Sequence, residues 1–215
     1  MKKQYQAFLF DLNGTLIDDM HFHISAWHKI VNDLGANLSY EETKLECYGK
    51  NEELLERIFP NRFTPEEKAA MSLEKETVYQ REFKPHMKLL PGLSEVLAAA
   101  HAKNIIMTIG SAAIRFNVDF VLDNLNIRHY FKSIVCAEDV KHSKPDPETF
   151  LKNALQSGVA PSECLVFEDA PKGVEAAANA GMDCFVLTTM HEAHEFSAYS
   201  NTIGFANDYL NFKPA

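Results

Sequence analysis

Carboxylates, a hydroxyl and an ammonium recur at points where apolar runs of this sequence end. Asp11 directly follows the run Ala7–Phe10, and Asn13 comes two residues later. Four to eight apolar residues bounded by turn signals predict a buried strand, so both side chains are expected at a strand's carboxyl end. Polar groups also come after later predicted strands, where the chain reads Gly110-Ser111-Ala112, Lys144-Pro-Asp-Pro and Glu168-Asp169.

Brought into one crevice, these groups have the chemistry of a phosphoryl-transfer site. The carboxyl ends of parallel strands lie at one edge of the sheet, where ligands bind. Carboxylates from two strands suit a hard cation such as Mg²⁺, which keeps water and phosphate oxygens as its remaining ligands. A lysine offsets the remaining negative charge, and a hydroxyl donates to an anionic oxygen.

Each of these residues, taken alone, also has an ordinary structural explanation. Asp11 is typical of a turn, and Ser111 or the pair Glu168-Asp169 is typical of a helix N-terminus. Lys144 before Pro-Asp-Pro also fits a solvated turn. The functional interpretation therefore depends on all of them together, each following a predicted strand.

The elements that position these groups form two regions. Between residues 18 and 85 there are helix signals and no convincing strand: apolar residues recur at helical spacing in His21–Leu34 and Asn51–Phe59, and capping boxes begin at Ser39 and Thr64. From Leu90 onward, helices alternate with strands, which are predicted at 104–109, 133–136, 164–167 and 184–187, with a weaker one at 202–205. Such alternation predicts an α/β fold with a Rossmann-like parallel sheet flanked by helices. The expected domains are a core of residues 1–17 and 87–215 and an inserted all-helical cap of residues 18–86.

Composition narrows the class of protein. The 215 residues carry a net charge of −9, which argues against nucleic acid or an anionic membrane as a partner. No apolar stretch approaches the roughly 18 residues of a membrane span, and no signal peptide is evident, so the cytoplasm is the expected compartment. Three of the four cysteines lie in apolar runs and are expected to be reduced core residues, namely Cys136, Cys164 and Cys184.

The four motifs, in this order, resemble the haloacid dehalogenase-like hydrolase superfamily, in particular its β-phosphoglucomutase and phosphoglycolate-phosphatase branch with a helical cap. The resemblance covers nearly the whole chain. It implies that Asp11 attacks phosphorus to form an aspartyl-phosphate. It also implies Mg²⁺ between Asp11, the main-chain carbonyl of Asn13 and Asp169, with Glu168 close by. The groups that it implies around the phosphate are Gly14, Thr15, Ser111, Ala112 and Lys144.

The resemblance extends to the cap. His23 matches a histidine near the hinge of related sugar-phosphate enzymes, and Lys50 lies in the family's specificity loop. The phosphomutase pattern has an arginine where this chain has Glu52, and a carboxylate there would repel a second phosphate. Lys75 resembles a lysine of the last cap helix, and Arg115, four residues after Ser111, is a further candidate for substrate binding.

The cap residues have ordinary alternatives too. His23 is also compatible with a surface or internally satisfied histidine. Lys75 is also compatible with a solvated helix face, and Glu74, Glu76 and Glu82 around it are expected to be solvated surface charges.

Asn13 departs from the family pattern. Active members carry an aspartate there, which protonates the leaving oxygen and then deprotonates the water that cleaves the aspartyl-phosphate. An amide does neither, so the expected rate is lower by about 10²–10⁴-fold. Three explanations are compatible with this residue: a deliberate substitution, a natural enzyme that is slow or uses another base such as His23, and deamidation of the Asn13-Gly14 pair.

Three functions follow as hypotheses. The first is a monomeric Mg²⁺-dependent phosphatase acting on a small phosphorylated metabolite such as a sugar phosphate. The second is a phosphomutase of the β-phosphoglucomutase kind, against which Glu52 speaks. The third is a catalytically impaired protein that binds a phosphorylated metabolite, for which Asn13 is the main support.

Overall fold

The computed structural model of the chain describes residues 3–214. The described chain divides into two compact units: one runs up to Asp18 and resumes at Lys88, and the other is Asp19–Met87. The α-helices in the described range are α1 (Met20–Asp33), α2 (Tyr40–Glu46), α3 (Asn51–Ile58), α4 (Pro65–Phe83), α5 (Leu93–Ala102), α6 (Arg115–Asn124), α7 (Glu148–Ser157) and α8 (Pro171–Asn179). The strands there are β1 (Ala7–Phe10), β2 (Ile106–Gly110), β3 (Phe131–Val135), β4 (Cys164–Glu168), β5 (Asp183–Leu187) and β6 (Thr202–Ala206).

The first unit is built on a parallel sheet whose strand order, over residues 3–214, is β3-β2-β1-β4-β5-β6. The chain adds β2 and β3 on one side of β1 and then returns to add β4, β5 and β6 on the other. The order therefore reverses between β1 and β4, and ligands bind at such a reversal, beyond the carboxyl ends of the strands. The predicted α/β fold is confirmed, and the weakly predicted last strand is present as β6.

Aromatic side chains fill one face of the central strands. Phe8 and Phe10 of β1 pack against Phe167 of β4, with Phe10 and Phe167 stacked at 4.5 Å between ring centroids. From the C-terminal segment, Phe212 contacts Phe8 and Phe167, and Tyr209 contacts Phe10 and Phe167. This packing stabilises β1 and β4, whose carboxyl ends carry the candidate site, and it holds the segment with Tyr209 and Phe212 against them.

The second unit is helical throughout its secondary structure and begins its helices as predicted. The Ser39 and Thr64 side chains accept hydrogen bonds from the amides three residues later, and Glu42 and Glu67 complete the two capping boxes. The apolar cluster of this unit comprises the buried side chains Trp27, Val31, Leu54, Leu55 and Phe59.

The state of the cysteines and the character of the helices test two expectations from the sequence. All four cysteines are free, and Cys136, Cys164 and Cys184 are buried as predicted. Burial raises the pKa of the Cys164 thiol to about 11, which makes it unreactive. None of the helices in the described range combines the length and the apolar character that a membrane crossing requires.

Candidate active site

Asp11 and Lys144 meet at the carboxyl end of β1. Asp11 directly follows the strand, and its amide donates to the carbonyl of Phe167 on β4 at 2.9 Å. The Lys144 ammonium donates to Asp11 Oδ1 at 2.6 Å and to Glu168 Oε1 at 2.6 Å. All three side chains are buried. The structure therefore brings together one predicted nucleophile and one predicted cation that the sequence separates widely.

Glu168 and Asp169 complete an acidic cluster with Asp11. Oxygens of the three carboxylates lie within 4.8 Å of one another. Glu168 Oε2 also accepts hydrogen bonds from the amides of Asp169 and Ala170, at 2.9 and 3.0 Å. Both oxygens of Glu168 are therefore engaged, one by Lys144 and the other by the chain just before α8. In this arrangement Glu168 orients Lys144.

The charges of this cluster do not balance. Burial by itself would lower the pKa of Lys144, but the carboxylates of Asp11 and Glu168 outweigh it and hold the pKa above its ordinary value. Lys144 is therefore a cation throughout the physiological range. Three buried carboxylates face one ammonium, and this excess of negative charge favours a further cation.

The donor set fits a hard divalent cation. Carboxylates from β1 and β4 provide only oxygen ligands, and the cluster contains no cysteine or histidine. Oxygen ligands select Mg²⁺, Ca²⁺ or Mn²⁺ over zinc or copper. Asp11 and Asp169 are the carboxylates that would hold such an ion, because both oxygens of Glu168 already accept hydrogen bonds from Lys144 and from the amides that precede α8.

The loop after β1 brings Gly14 against Asp169. Gly14 has a φ of +73°, and a Cβ built on it would lie 2.0 Å from Asp169 Oδ2. Only glycine permits this approach. The neighbouring Thr15 hydroxyl is buried, and within residues 3–214 it has no hydrogen-bond partner. A buried hydroxyl of this kind is available to an anionic oxygen.

Ser111 lies at the end of β2, the strand beside β1. Its amide donates to Val135 of β3 at 3.0 Å, and its buried hydroxyl accepts from the amide of Ala113 at 3.1 Å. The hydroxyl proton is therefore still available for donation. Ala112 is half-buried in the turn that follows. The phosphate-binding roles of both residues stay predictions.

Arg115 is engaged elsewhere. Its guanidinium donates to Asp139 at 2.7 Å and to the carbonyl of Ile134 at 3.3 Å, and it is about 40% exposed. These contacts hold the side chain near the end of β3. Its predicted role in substrate binding stays a prediction.

A buried polar cluster occupies the helical unit. Lys75 Nζ lies 2.5 Å from His23 Nδ1 and donates to Glu76 Oε1 at 2.9 Å. His23 Nε2 is 3.2 Å from Asp19, which also accepts a hydrogen bond from Tyr79. Because an ammonium only donates, His23 Nδ1 is the acceptor and Nε2 carries the proton toward Asp19.

The burial of Lys75 and Glu76 in this cluster tests two expectations for α4. Lys75 is 2% exposed, which removes the alternative of a solvated helix face. The expectation that Glu76 is a solvated surface charge is wrong, because it is 1% exposed. Burial by itself would raise the pKa of Glu76, but Lys75, His23 and a hydrogen bond from Asn51 bring it below the ordinary value.

Lys50 and Glu52 lie at the start of α3. Lys50 precedes the helix, and its amide donates to Glu53 at 3.0 Å. Glu52 is exposed in the first helical turn. Asn51, between them, donates to Ser72 and to Glu76 on α4.

Several polar residues with roles at these sites were not found from the sequence. On α4, Ser72 and Glu76 share helical spacing with the predicted Lys75, and this polar stripe is a signal that periodicity alone could have given. In the first unit, Thr189 and Tyr209 donate to the loop after β1, and no local pattern marks them.

Comparison with a protein-family model shows which family the chain belongs to. The model for haloacid dehalogenase-like hydrolases matches residues 8–187. The chain belongs to the haloacid dehalogenase-like hydrolase family. The resemblance inferred from the four motifs is confirmed, and the chain is an enzyme of this class.

Family members of known activity include sugar phosphatases and a phosphomutase. The fructose-1-phosphate phosphatase YqaB of Escherichia coli is 31% identical over 183 residues, covering 85% of this chain and 96% of that protein. The β-phosphoglucomutase of Bacillus subtilis is 31% identical over 185 residues, covering 82% and 80%. Among solved structures of the family, the β-phosphoglucomutase of Clostridium difficile has a TM-score of 0.85 at 28% identity, covering 98% of this chain and 94% of that one.

Proposed function

We propose that the chain is a Mg²⁺-dependent phosphatase that acts on a small phosphorylated metabolite of the sugar-phosphate kind through an aspartyl-phosphate. The observation that carries the proposal is the buried Asp11 carboxylate, hydrogen-bonded to Lys144 and clustered with Glu168 and Asp169. Membership of a hydrolase family that includes sugar phosphatases supports it.

Asp11 is the proposed nucleophile. Its carboxylate oxygen bonds to phosphorus as the bond from phosphorus to the substrate's leaving oxygen breaks, and water then cleaves the resulting acyl phosphate. Lys144, which donates to Asp11, is proposed to offset the negative charge of the phosphoryl group as well. Hydroxyl protons of Thr15 and Ser111 are proposed to donate to the phosphoryl oxygens.

Asn13 is proposed to make both steps slow. The first step needs a proton on the leaving oxygen, and the second needs a base for the attacking water. A carboxyl group two residues from the nucleophile supplies both, and an amide supplies neither.

The proposed cation would be held by Asp11, Asp169 and the carbonyl of Asn13, with Glu168 beside them. Such an ion supplies charge neutralisation between the carboxylate nucleophile and an anionic phosphate.

His23, Lys75 and Lys50 are the proposed binding residues for the part of the substrate beyond its phosphate. The relatives that act on phosphorylated carbohydrates support a polyhydroxylated substrate. We further propose a cytoplasmic monomer. The net charge of −9 argues against nucleic acid or an anionic membrane as a partner.

A substrate screen tests the proposal. Purified protein and its Asn13→Asp variant are each incubated with phosphorylated sugars, phosphoglycolate and pyrophosphate, with Mg²⁺ or with EDTA, and released phosphate is measured. We expect Mg²⁺-dependent release that is much faster for Asn13→Asp, and none for an Asn13→Asp/Asp11→Asn variant. Absence of release from every compound by Asn13→Asp at high enzyme concentration would contradict the phosphatase proposal.

Phosphomutase activity is the second candidate, supported by the related β-phosphoglucomutase. Glu52 is exposed at the position where the mutase pattern has an arginine, so it opposes the binding of a second phosphate. An isomeric sugar phosphate in the screen, instead of free phosphate, would favour this candidate. Binding without turnover in both variants would favour the third hypothesis, an impaired binding protein.

A further inference from the structure

Two hydroxyl groups from the C-terminal part of the chain hold the loop that follows β1. Thr189 Oγ1 donates to the carbonyl of Gly14 at 2.7 Å, and Tyr209 Oη donates to the carbonyl of Thr15 at 3.1 Å. We propose that Thr189 and Tyr209 are positioning residues that fix this loop, and with it Asp11, for the phosphoryl transfer. The inference rests on the proposed function.

Both carbonyls accept hydrogen bonds from residues outside the loop. The amides of Thr15 and Leu16 both turn toward the carbonyl of Leu12, at 3.4 and 2.8 Å. The carbonyls of Gly14 and Thr15 accept from Thr189 and Tyr209 instead. Loss of either hydroxyl removes a donor from a buried carbonyl, which is costly.

Both donors are themselves held in place. Thr189 comes just beyond β5, where the neighbouring Thr188 amide donates to Ala206 at 2.9 Å. Tyr209 is 1% exposed, its ring packs against Phe10 and Phe167, and its amide donates to the carbonyl of Pro91 at 2.9 Å. The hydroxyls are thus presented by rigid surroundings.

Gly92 allows the C-terminal segment to reach this place. It has a φ of +80°, and a Cβ built on it would lie 2.6 Å from the Leu210 amide nitrogen and 2.7 Å from the Tyr209 carbonyl carbon. A side chain at position 92 would displace the segment that carries Tyr209. The Pro91-Gly92 pair therefore serves this docking as well as the start of α5.

The two hydrogen bonds matter for the site because the loop that they hold also contacts Asp169. Gly14 lies against the Asp169 carboxylate, and the Thr15 hydroxyl is a proposed phosphate donor. A shift of the Gly14 and Thr15 peptide groups would therefore displace Asp11, Asn13 and Thr15 relative to Asp169 together. Misplacement by about 1 Å is known to cost an enzyme on the order of 10²-fold in rate.

Conservative variants test the proposal in the Asn13→Asp background. Tyr209→Phe and Thr189→Val each remove one hydroxyl and keep most of the packing. We expect each to lower kcat about 10-fold, with KM changed less than about 3-fold, because the fault is in the alignment of the nucleophile. Thr189→Ser retains a hydroxyl at this position and is expected to keep kcat near that of its parent.

Matched controls separate positioning from stability. Tyr5→Phe removes a tyrosine hydroxyl that donates to Asp183 at the opposite edge of the same sheet, and Thr188→Val removes the hydroxyl next to Thr189 that donates to Asn207. Both controls are expected to leave kcat unchanged. If Tyr209→Phe and Thr189→Val lower only the melting temperature and match these controls in kcat, the proposal is overturned.

A readout that needs no turnover distinguishes this proposal from the proposed function. Hydrogen exchange of the peptide that covers residues 11–17 is expected to be faster in Tyr209→Phe and Thr189→Val than in Tyr5→Phe and Thr188→Val. If the Asn13→Asp parent has no phosphatase activity but Tyr209→Phe and Thr189→Val still exchange faster than the controls, the proposed function is rejected and the positioning role is supported. Unchanged exchange, with or without activity, would reject the positioning role.

Discussion

Lys144 donates a 2.6 Å hydrogen bond to Asp11 across 133 positions of the sequence, and it donates an equally short one to Glu168. The ammonium thus links the ends of β1 and β4 at the place where the strand order reverses. The Lys144 ammonium therefore stabilises two buried carboxylates and also supplies positive charge to the candidate site.

Lys144→Met is expected to affect stability and activity together. It leaves Asp11 and Glu168 buried without their ammonium, and breaking a buried pair of this kind costs about 3–5 kcal/mol. In the Asn13→Asp background we also expect kcat/KM to fall on the order of 10²–10³-fold, because charge stabilisation at phosphorus is lost. Urea unfolding and phosphate release measure the two effects. Lys152→Met, which removes an exposed partner of Glu148, is the control and is expected to change neither by much.

Asn13→Asp is expected to raise the turnover rate by about 10²–10⁴-fold, the usual contribution of general acid–base catalysis. The measurement is phosphate release under saturating substrate, and intact mass together with a peptide map around residue 13 excludes deamidation in the parent. Asn13→Ala is expected to be as slow as the parent. Fast turnover by a protein that is homogeneous asparagine at position 13 would show that no acid is needed there.

Mg²⁺ is expected to raise the melting temperature, because it relieves repulsion among the buried carboxylates of Asp11, Glu168 and Asp169. At about 100 times its dissociation constant the ion stabilises the fold by about 2.7 kcal/mol, or roughly 5–11 °C for a chain of this size. The measurement is a thermal melt with and without the ion. Asp169→Asn is expected to reduce the response strongly, while Asp183→Asn, at the other edge of the sheet, keeps it. An equal response in both variants would place the ion elsewhere.

Glu76 is expected to make stability depend on pH on the acid side. Its pKa in the folded chain lies below the usual value of 4.5, so the unfolded chain binds the proton more tightly. The carboxylate therefore stabilises the fold above about pH 4.5, and this contribution is lost as the pH falls through the folded pKa. Urea midpoints between pH 3 and 7 should fall less steeply for Glu76→Gln, which is also expected to lose up to about 3 kcal/mol at pH 7. An unchanged pH profile would contradict the role assigned to the Lys75, His23 and Asn51 contacts.

Much of the fold was accessible from the sequence because its signals are local. The run Ala7–Phe10, the capping boxes at Ser39 and Thr64, and the alternation of helices and strands after Leu90 each depend on a few neighbouring residues. The four motifs were found because each directly follows a strand or its connecting loop. Their convergence then followed from the geometry of parallel sheets.

Other features depended on contacts between distant segments. Glu76 was expected at the surface because a carboxylate is rarely buried, and only Lys75, His23 and Asn51 make its burial tolerable. Arg115 was a candidate for substrate binding because it follows the end of β2 in the sequence, but in the structure its guanidinium donates to Asp139.

The sequence by itself determined the elements, their order and the identity of the groups with chemical potential, because propensity, periodicity and capping are properties of short segments. Only the tertiary structure decided that β1 lies between β2 and β4, that Lys144 serves Asp11 and Glu168 together, and that Thr189 and Tyr209 hold the Gly14 and Thr15 carbonyls. The contacts of Asp11 with Lys144, of Gly14 with Thr189 and of Thr15 with Tyr209 each join residues more than a hundred positions apart. A hydroxyl that donates to a distant carbonyl leaves no pattern in the residues around it.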